Sequence, residues 1–256
     1  MLMDMFEQGK VTTKDLDGME AKWGDPVIVQ QLLEKIAKRE GIGNVLADGS
    51  DALGKKFNVD QEQIPTINGI EVTYHDLRSC YGMAIAYGFS CNGPSQHNAL
   101  DAYNIQLGQP FPEIGVNVVD KFEISDVLAE TMALAHDFRA FTNSAIYCSF
   151  CLFGETKMGK LIELATGNVY DVPTIKTTGK RIFELKRLFN LKMGLTGACD
   201  RLPAILTTAT PDGGAEGKSP DWRTLFKMYY KARGWDDNGI PKPETLQMVN
   251  LEGIKF

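Results

Sequence analysis

A mainly α, multi-helical fold is the class the sequence predicts, on three observations. Capping residues stand just ahead of apolar runs with a period near 3.6. Glycines close those runs, and the alternating apolar and polar pattern of strands is almost absent.

The first element is read from Asp25-Pro26 followed by Ile28, Leu32, Leu33 and Ile36, closed by Gly41: a cap, a first-turn proline, an amphipathic helix and a terminator. NVLADGSDALGKKF repeats the pattern, with Asn44 as its cap and Gly54 as its stop, so a helical hairpin is expected. The next stretch carries Pro65, Asn68-Gly69 and an alternating Ile70, Val72 and Tyr74, and reads as an irregular crossing. It divides a small N-terminal domain, 1–66, from a larger helical domain, 67–256. The apolar run YGMAIAYGF is broken by Gly93-Pro94. From Ser125, a candidate cap, Val127, Leu128, Met132, Leu134, Ala135 and Phe138 predict a long buried helix to about Ala140. RIFELKRLFNLKMG puts Ile182, Leu185 and Phe189 on one face and ends at Gly194. SPDWRTLFKMYYKARG pairs a Ser219 cap with Pro220 and ends at Gly234, and the glycine-rich TTATPDGGAEGKS before it reads as a surface loop.

With 256 residues, 43% of them hydrophobic, the chain can bury one or two cores. Its 27 Lys and Arg against 33 Asp and Glu give a net charge of -6, which argues against nucleic acid and for a small-molecule or protein partner. No apolar run approaches the roughly 18 residues of a membrane span, and MLMDMFEQGK lacks a signal pattern, so a cytoplasmic protein is expected. Five cysteines, an odd number, fit reduced thiols or metal ligands better than a disulfide framework. Three histidines, His75, His97 and His136, are too scattered for a metal site of their own.

Three stretches stand out. TTKDLDGMEAKWGD sets Asp15, Gly18, Met19 and Glu20 in an Asp-x-x-Gly-apolar-acidic order. NSAIYCSF carries Asn143, Ile146, Tyr147 and Cys148, with Cys151 three residues on. LIELATG, RIFELKRLFNLKMGLTGACDRLP and YYKARGWDDNGIP then follow in series. Together they resemble the C-terminal, mainly helical part of the aldehyde ferredoxin oxidoreductases, tungsten or molybdenum bis-pterin enzymes, over nearly the whole chain.

The resemblance implies several things. Residues 1–66 would be the remnant of the family's middle helical domain. Asp15, Gly18, Met19 and Glu20 would form the first pterin-binding motif, a carboxylate suiting the donor-rich ring because it accepts paired hydrogen bonds. The second motif, Asp-x-x-Gly-Leu-Cys, has Asn143, Ile146 and Tyr147 in place of its aspartate, glycine and leucine, and Cys148 in the place of a four-iron cluster ligand. Asn143 and Tyr147 are then pterin contacts, with Tyr147 and Cys148 offering backbone groups. His97, or Gln96 beside it, would be the catalytic residue near the metal, moving protons; the family arginine ahead of it is Asn92. The implied activity is oxidation of an aldehyde to a carboxylic acid with ferredoxin as electron acceptor. The alternatives are a tungsten-dependent aromatic acyl-CoA reductase subunit and a non-catalytic helical interaction subunit. The family's N-terminal domain and its upstream Cys-x-x-Cys-x-x-x-Cys have no counterpart here, so a truncated frame, or else a split subunit, is expected. The plainer readings are a capped turn at Asp15, core thiols at Cys148 and Cys151, and a loop histidine at His97. Cys80 and Cys91 are read as packing residues. If the cofactor reading holds, Asp15, Cys148 and His97 face one open, polar concavity.

Overall fold

Asp25 opens the longest helix of the N-terminal part as the sequence predicts: its carboxylate accepts from the backbone N–H groups of Val27 (2.9 Å) and Ile28 (3.3 Å), and Pro26 follows in the first turn. In the computed structural model, which describes residues 1–91, 93–94, 102, 105–148 and 154–254, the helices are α1 (Leu2–Glu7), α2 (Pro26–Lys38), α3 (Ile42–Leu46), α4 (Gly49–Lys56), α5 (Gly82–Phe89), α6 (Asp126–Ser144), α7 (Glu155–Thr166), α8 (Val172–Lys192), α9 (Ala204–Thr207), α10 (Trp222–Arg233) and α11 (Pro243–Met248). The sheet seen among the described residues has two strands, β1 (Thr66–Ile67) and β2 (Ile70–Glu71). The fold is mainly α and multi-helical.

The chain divides into two compact units, Met1–Val72 with Pro203–Leu206, and Thr73–Leu202 with Thr207–Phe256. In the first, Leu2, Met5, Val11, Leu16, Ile28, Leu32, Ile42 and Leu53 form the core. Asn68 and Gly69 both take positive φ, 51° and 79°, and close a minimal antiparallel hairpin that pairs Thr66 with Glu71. Two expectations are corrected here. Asn44 lies inside α3 and caps nothing; the flanking positions fall to Gly41 and Asp48. Gly54 does not stop a helix but lies within α4, where a Cβ would come 2.2 Å from Ile64 Cδ1, so its smallness serves packing.

In the second unit, Ser125 caps α6 by accepting from Leu128 N–H at 3.1 Å, and the helix runs on to Ser144, one turn past the expected end. α6 lies hard against α8. A Cβ on Gly179 would fall 2.1 Å from the Asp137 carbonyl oxygen, so only glycine allows this approach. α5 is buried throughout, and Gly88 leaves room for the Phe226 ring of α10. Asp221, not Ser219, caps α10, accepting from Thr224 N–H at 3.2 Å; the Ser219 hydroxyl donates instead to the Thr207 carbonyl. The glycine-rich loop is fastened by Gly217 N–H to Thr210 O, 3.0 Å.

The apolar face of Ile182, Leu185 and Phe189 is not the buried face of α8. Phe183, Glu184, Arg187 and Leu188 point inward, while Leu185 and Phe189 are 45% and 60% exposed. The reason is chemical: Glu184 and Arg187 find buried partners, so two charged residues occupy the inner face and hydrophobic periodicity alone misplaces it.

Candidate functional site

The first motif is a tight turn between the buried Val11 and Leu16. Asp15 Oδ2 accepts from Thr12 N–H (2.9 Å) and from the Thr12 hydroxyl (2.6 Å), and these bonds hold the exposed carboxyl below its ordinary pKa. The capped-turn reading is thus present in the structure, and it engages one oxygen of Asp15. Gly18 takes φ +87° with open space where a side chain would stand, so it is needed for backbone conformation. Met19 packs on the core of this unit and Glu20 pairs with Lys22 at 2.5 Å. Sequence reasoning passed over Asp17. Its carboxylate accepts from Lys35 Nζ (2.9 Å) and Ile42 N–H (3.2 Å), pinning the turn to α2 and α3.

The second motif forms the end of α6. Tyr147 N–H bonds to Thr142 O (3.0 Å) and Ile146 N–H to Asn143 O (3.1 Å), the paired bonds of a Schellman cap. Such a cap wants glycine at its left-handed residue. Here that residue is Ile146, with φ 55° and 95% exposure, which explains in backbone terms why the resembled motif has glycine there. Because the Tyr147 N–H is consumed by the cap, it is not free for a cofactor, contrary to expectation. Asn143 is half-buried, and Cys148 follows the cap as an exposed thiol. Beside it lies a cavity of about 560 Å³ lined by Phe141, Ile146, Tyr147, Leu161, Ile162 and Ile182 among others.

His97, Gln96, Asn92 and Cys151 lie outside the described residues. Cys80 is fully buried, its thiol donating to Gln106 Oε1, and burial pushes its pKa up to about 12, as fits a packing residue. Among the described residues no group of three or more His, Cys, Asp or Glu is arranged to hold a metal ion. The described residues thus do not supply a complete ligand set for a metal ion.

The most concentrated electrostatics of the second unit went unread in the sequence. Arg233, 1% exposed, bonds Asp137 of α6 (2.5 Å) and Glu184 of α8, and the Glu184 carboxylate also accepts from Trp235 Nε1 (2.8 Å). The guanidinium lies 4.2 Å from the Phe183 ring centre. Burial pushes Asp137 up to about 6, against the pull of Arg233. The neighbouring His136 stacks on Phe183, shares a 2.7 Å hydrogen bond with the Tyr229 hydroxyl, and is driven by burial down to about 3, so it stays neutral. Arg187 forms a second buried pair, a fork on Asp200 at 2.8 and 2.6 Å, joined by the Tyr230 hydroxyl. The signal was available: YYKARGWDD supplies Tyr229, Tyr230, Arg233 and Trp235, and the charges of AHDFRA lie in the continuously buried stretch 135–142 of α6.

Comparison with known proteins gives a consistent result. Residues 1–251 match the family model described as aldehyde ferredoxin oxidoreductase, domains 2 and 3. The tungsten-containing aldehyde ferredoxin oxidoreductase of Pyrococcus furiosus is 32% identical over 97% of this chain and 41% of its own length. An aliphatic sulfonate oxidoreductase, WOR-like subunit, from the same organism is 29% identical over 98% of this chain and 39% of its own. The chain thus spans about two-fifths of the length of these relatives. Among solved structures, the active site complex BamBC of benzoyl coenzyme A reductase with 1,5 dienoyl-CoA superposes with a TM-score of 0.64 at 19% identity, covering 98% of this chain and 42% of that one, a likeness of fold.

Proposed function

This chain belongs to the aldehyde ferredoxin oxidoreductase family, whose domains 2 and 3 it carries, and we propose on that premise that it forms the C-terminal part of a tungsten- or molybdenum-pterin, iron-sulfur oxidoreductase. The reaction is oxidation of an aldehyde to a carboxylic acid with water as the oxygen source, the two electrons passing to ferredoxin. The bound pterin metal supplies the two-electron chemistry, and the protein supplies binding, positioning and proton movement. The observation that carries the reading is the exposed Cys148 directly after the capped end of α6, in a chain aligned over nearly its whole length with tungsten enzymes.

In this reading Cys148 gives the cluster one thiolate. The other ligands and the second wall of the pterin site come from a polypeptide equivalent to the rest of the relatives. Asp15 keeps one carboxylate oxygen clear of the Thr12 bonds, and that oxygen accepts from the pterin. His97 moves the proton. Residues 1–66 would then correspond to the middle helical domain of the family and 67–256 to its C-terminal helical domain.

The test is reconstitution. The chain alone and the chain co-expressed with the remaining polypeptide are assayed for metal content and for aldehyde-dependent reduction of ferredoxin. The proposal expects little iron or tungsten in the chain alone, and iron, tungsten and aldehyde oxidation in the assembly. An assembly that reduces an aromatic acyl-CoA and leaves aldehydes untouched would overturn it in favour of the reductase reading. An assembly without metal would favour an interaction subunit.

A further inference from the structure

The net charge of -6 conceals a local reversal of sign. Residues 155–193, which contain α7 and α8, hold eight Lys and Arg against four Asp and Glu. The four acids are spoken for: Glu155 and Glu184 are buried, Asp171 caps α8 through Thr174 N–H, and Glu163 pairs with Lys160. Along α8 this leaves Lys176, Lys180, Arg181, Lys186 and Lys192, none of which makes an ion pair among the described residues.

Lys176 and Lys180 share the side of the helix that carries Phe183 and Arg187, and an apolar stripe runs on the outer side between Arg181 and Lys192 on one flank and Lys186 on the other. Ile182, Leu185, Phe189 and Met193 recur at spacings of three and four, which places them on one face over about 16 Å of helix. Met193 is 68% exposed, and Leu161 and Leu164 of α7 are also exposed. Ile182 and Leu161 line the 560 Å³ cavity, so the stripe leads into a recess. Large apolar side chains held in water between unpaired cations mark an interaction surface.

We propose that the outer face of α8, with the recess it shares with α7, docks an acidic protein that presents an apolar side chain, namely the electron carrier of the proposed reaction. Its being an electron carrier rests on the function proposed above; the surface and its preference for negative charge do not. Charge complementarity selects the occupant. The cations steer an acidic surface and set its orientation, while the stripe and recess take up a protruding apolar group. A planar lipid surface does not fill a recess. Single-stranded nucleic acid would want aromatic rings for stacking along the basic track, where this face offers mostly aliphatic side chains.

The experiment titrates the full chain with an acidic ferredoxin at about 20 mM and about 200 mM NaCl. Saturable binding is expected, weakened roughly tenfold or more by the added salt. The triple variant Arg181→Glu, Lys186→Glu, Lys192→Glu weakens it to a similar extent, and Phe189→Ser weakens it at both salt concentrations. Reversal of Lys10, Lys14 and Lys22, in the other unit, leaves it unchanged, with thermal melts confirming that each variant folds. Equal binding by wild type and triple variant overturns this surface while leaving ferredoxin as electron acceptor. Absence of ferredoxin binding overturns it too, as does reversal-sensitive binding confined to phosphatidylserine vesicles or single-stranded DNA. So does self-association of the chain that Phe189→Asp abolishes. Conversely, ferredoxin bound at this face by an assembly that oxidises no aldehyde would fault the reaction and not the surface.

Discussion

Replacing Arg233 with leucine should be the most damaging single substitution in the second unit. The guanidinium is almost completely buried between Asp137 of α6 and Glu184 of α8, and it covers Phe183 at 4.2 Å. Its own pKa is raised because the two carboxylates outweigh the penalty of burial. Leucine would leave one or two carboxylates in the core without a cation, a change that costs about 3–5 kcal/mol, with about 1 kcal/mol more for the lost ring contact. Against a typical total of about 5–15 kcal/mol, this removes a large share of the stability. With a urea m-value of about 3 kcal/mol/M, the unfolding midpoint falls by more than about 1 M. The loss has a pH signature. Without Arg233 the Asp137 pKa rises further above its unfolded value, so the deficit is greatest at neutral pH and shrinks in acid as the carboxyl takes a proton. Urea titrations at pH 7 and pH 5 measure both effects. A midpoint within about 0.3 M of wild type at pH 7, equivalent to about 1 kcal/mol, would refute the assignment of Arg233 as the keystone of α6, α8 and α10.

Three further outcomes follow from the same structure. Gly179→Val places side-chain atoms against the Asp137 carbonyl and should destabilise by several kcal/mol, about 3 or more, by urea unfolding, whereas an α6–α8 contact that can part would show less than about 1. Ile146→Gly should stabilise by about 1 kcal/mol, because it relieves a β-branched residue from left-handed backbone at the α6 cap; a loss in melting temperature would count against the Schellman geometry. His136 is depressed to about 3, so its contribution is full above its unfolded value of 6.5 and is lost as pH falls toward 3; Asp137, raised to about 6, contributes below 3.8 and loses that as pH rises through 6. The two oppose each other between pH 4 and 6, so His136→Gln should gain roughly 2–3 kcal/mol relative to wild type between pH 7 and pH 4, and parallel stability curves would contradict this.

The parts of the fold legible in the sequence were those fixed by local chemistry. Asp25-Pro26 and Ser125 start their helices as their capping groups require. What the sequence hid was set by tertiary partners. Glu184 and Arg187 went inside because Arg233, Trp235 and Asp200 awaited them, and the apolar Leu185 and Phe189 were turned outward in consequence. At the candidate site, Cys148 emerges as an exposed thiol, and Asp15 is both an accessible carboxylate and an ordinary turn residue. Asp17, which pins that turn, was missed because its partners Lys35 and Ile42 lie 18 and 25 positions away. The basic track on α8 was hidden by a net charge that averages over the whole chain.

The central claim is that this chain lends one thiolate to a four-iron cluster completed by the rest of the enzyme. The direct measurement is the iron content and the reduced-state paramagnetic resonance signal of the assembled enzyme carrying Cys148→Ser, beside one carrying Cys151→Ser. The account predicts that Cys148→Ser abolishes or alters the cluster signal and lowers the iron from about four per assembly, while Cys151→Ser leaves both intact. About four irons and an unaltered signal in the Cys148→Ser assembly would contradict it.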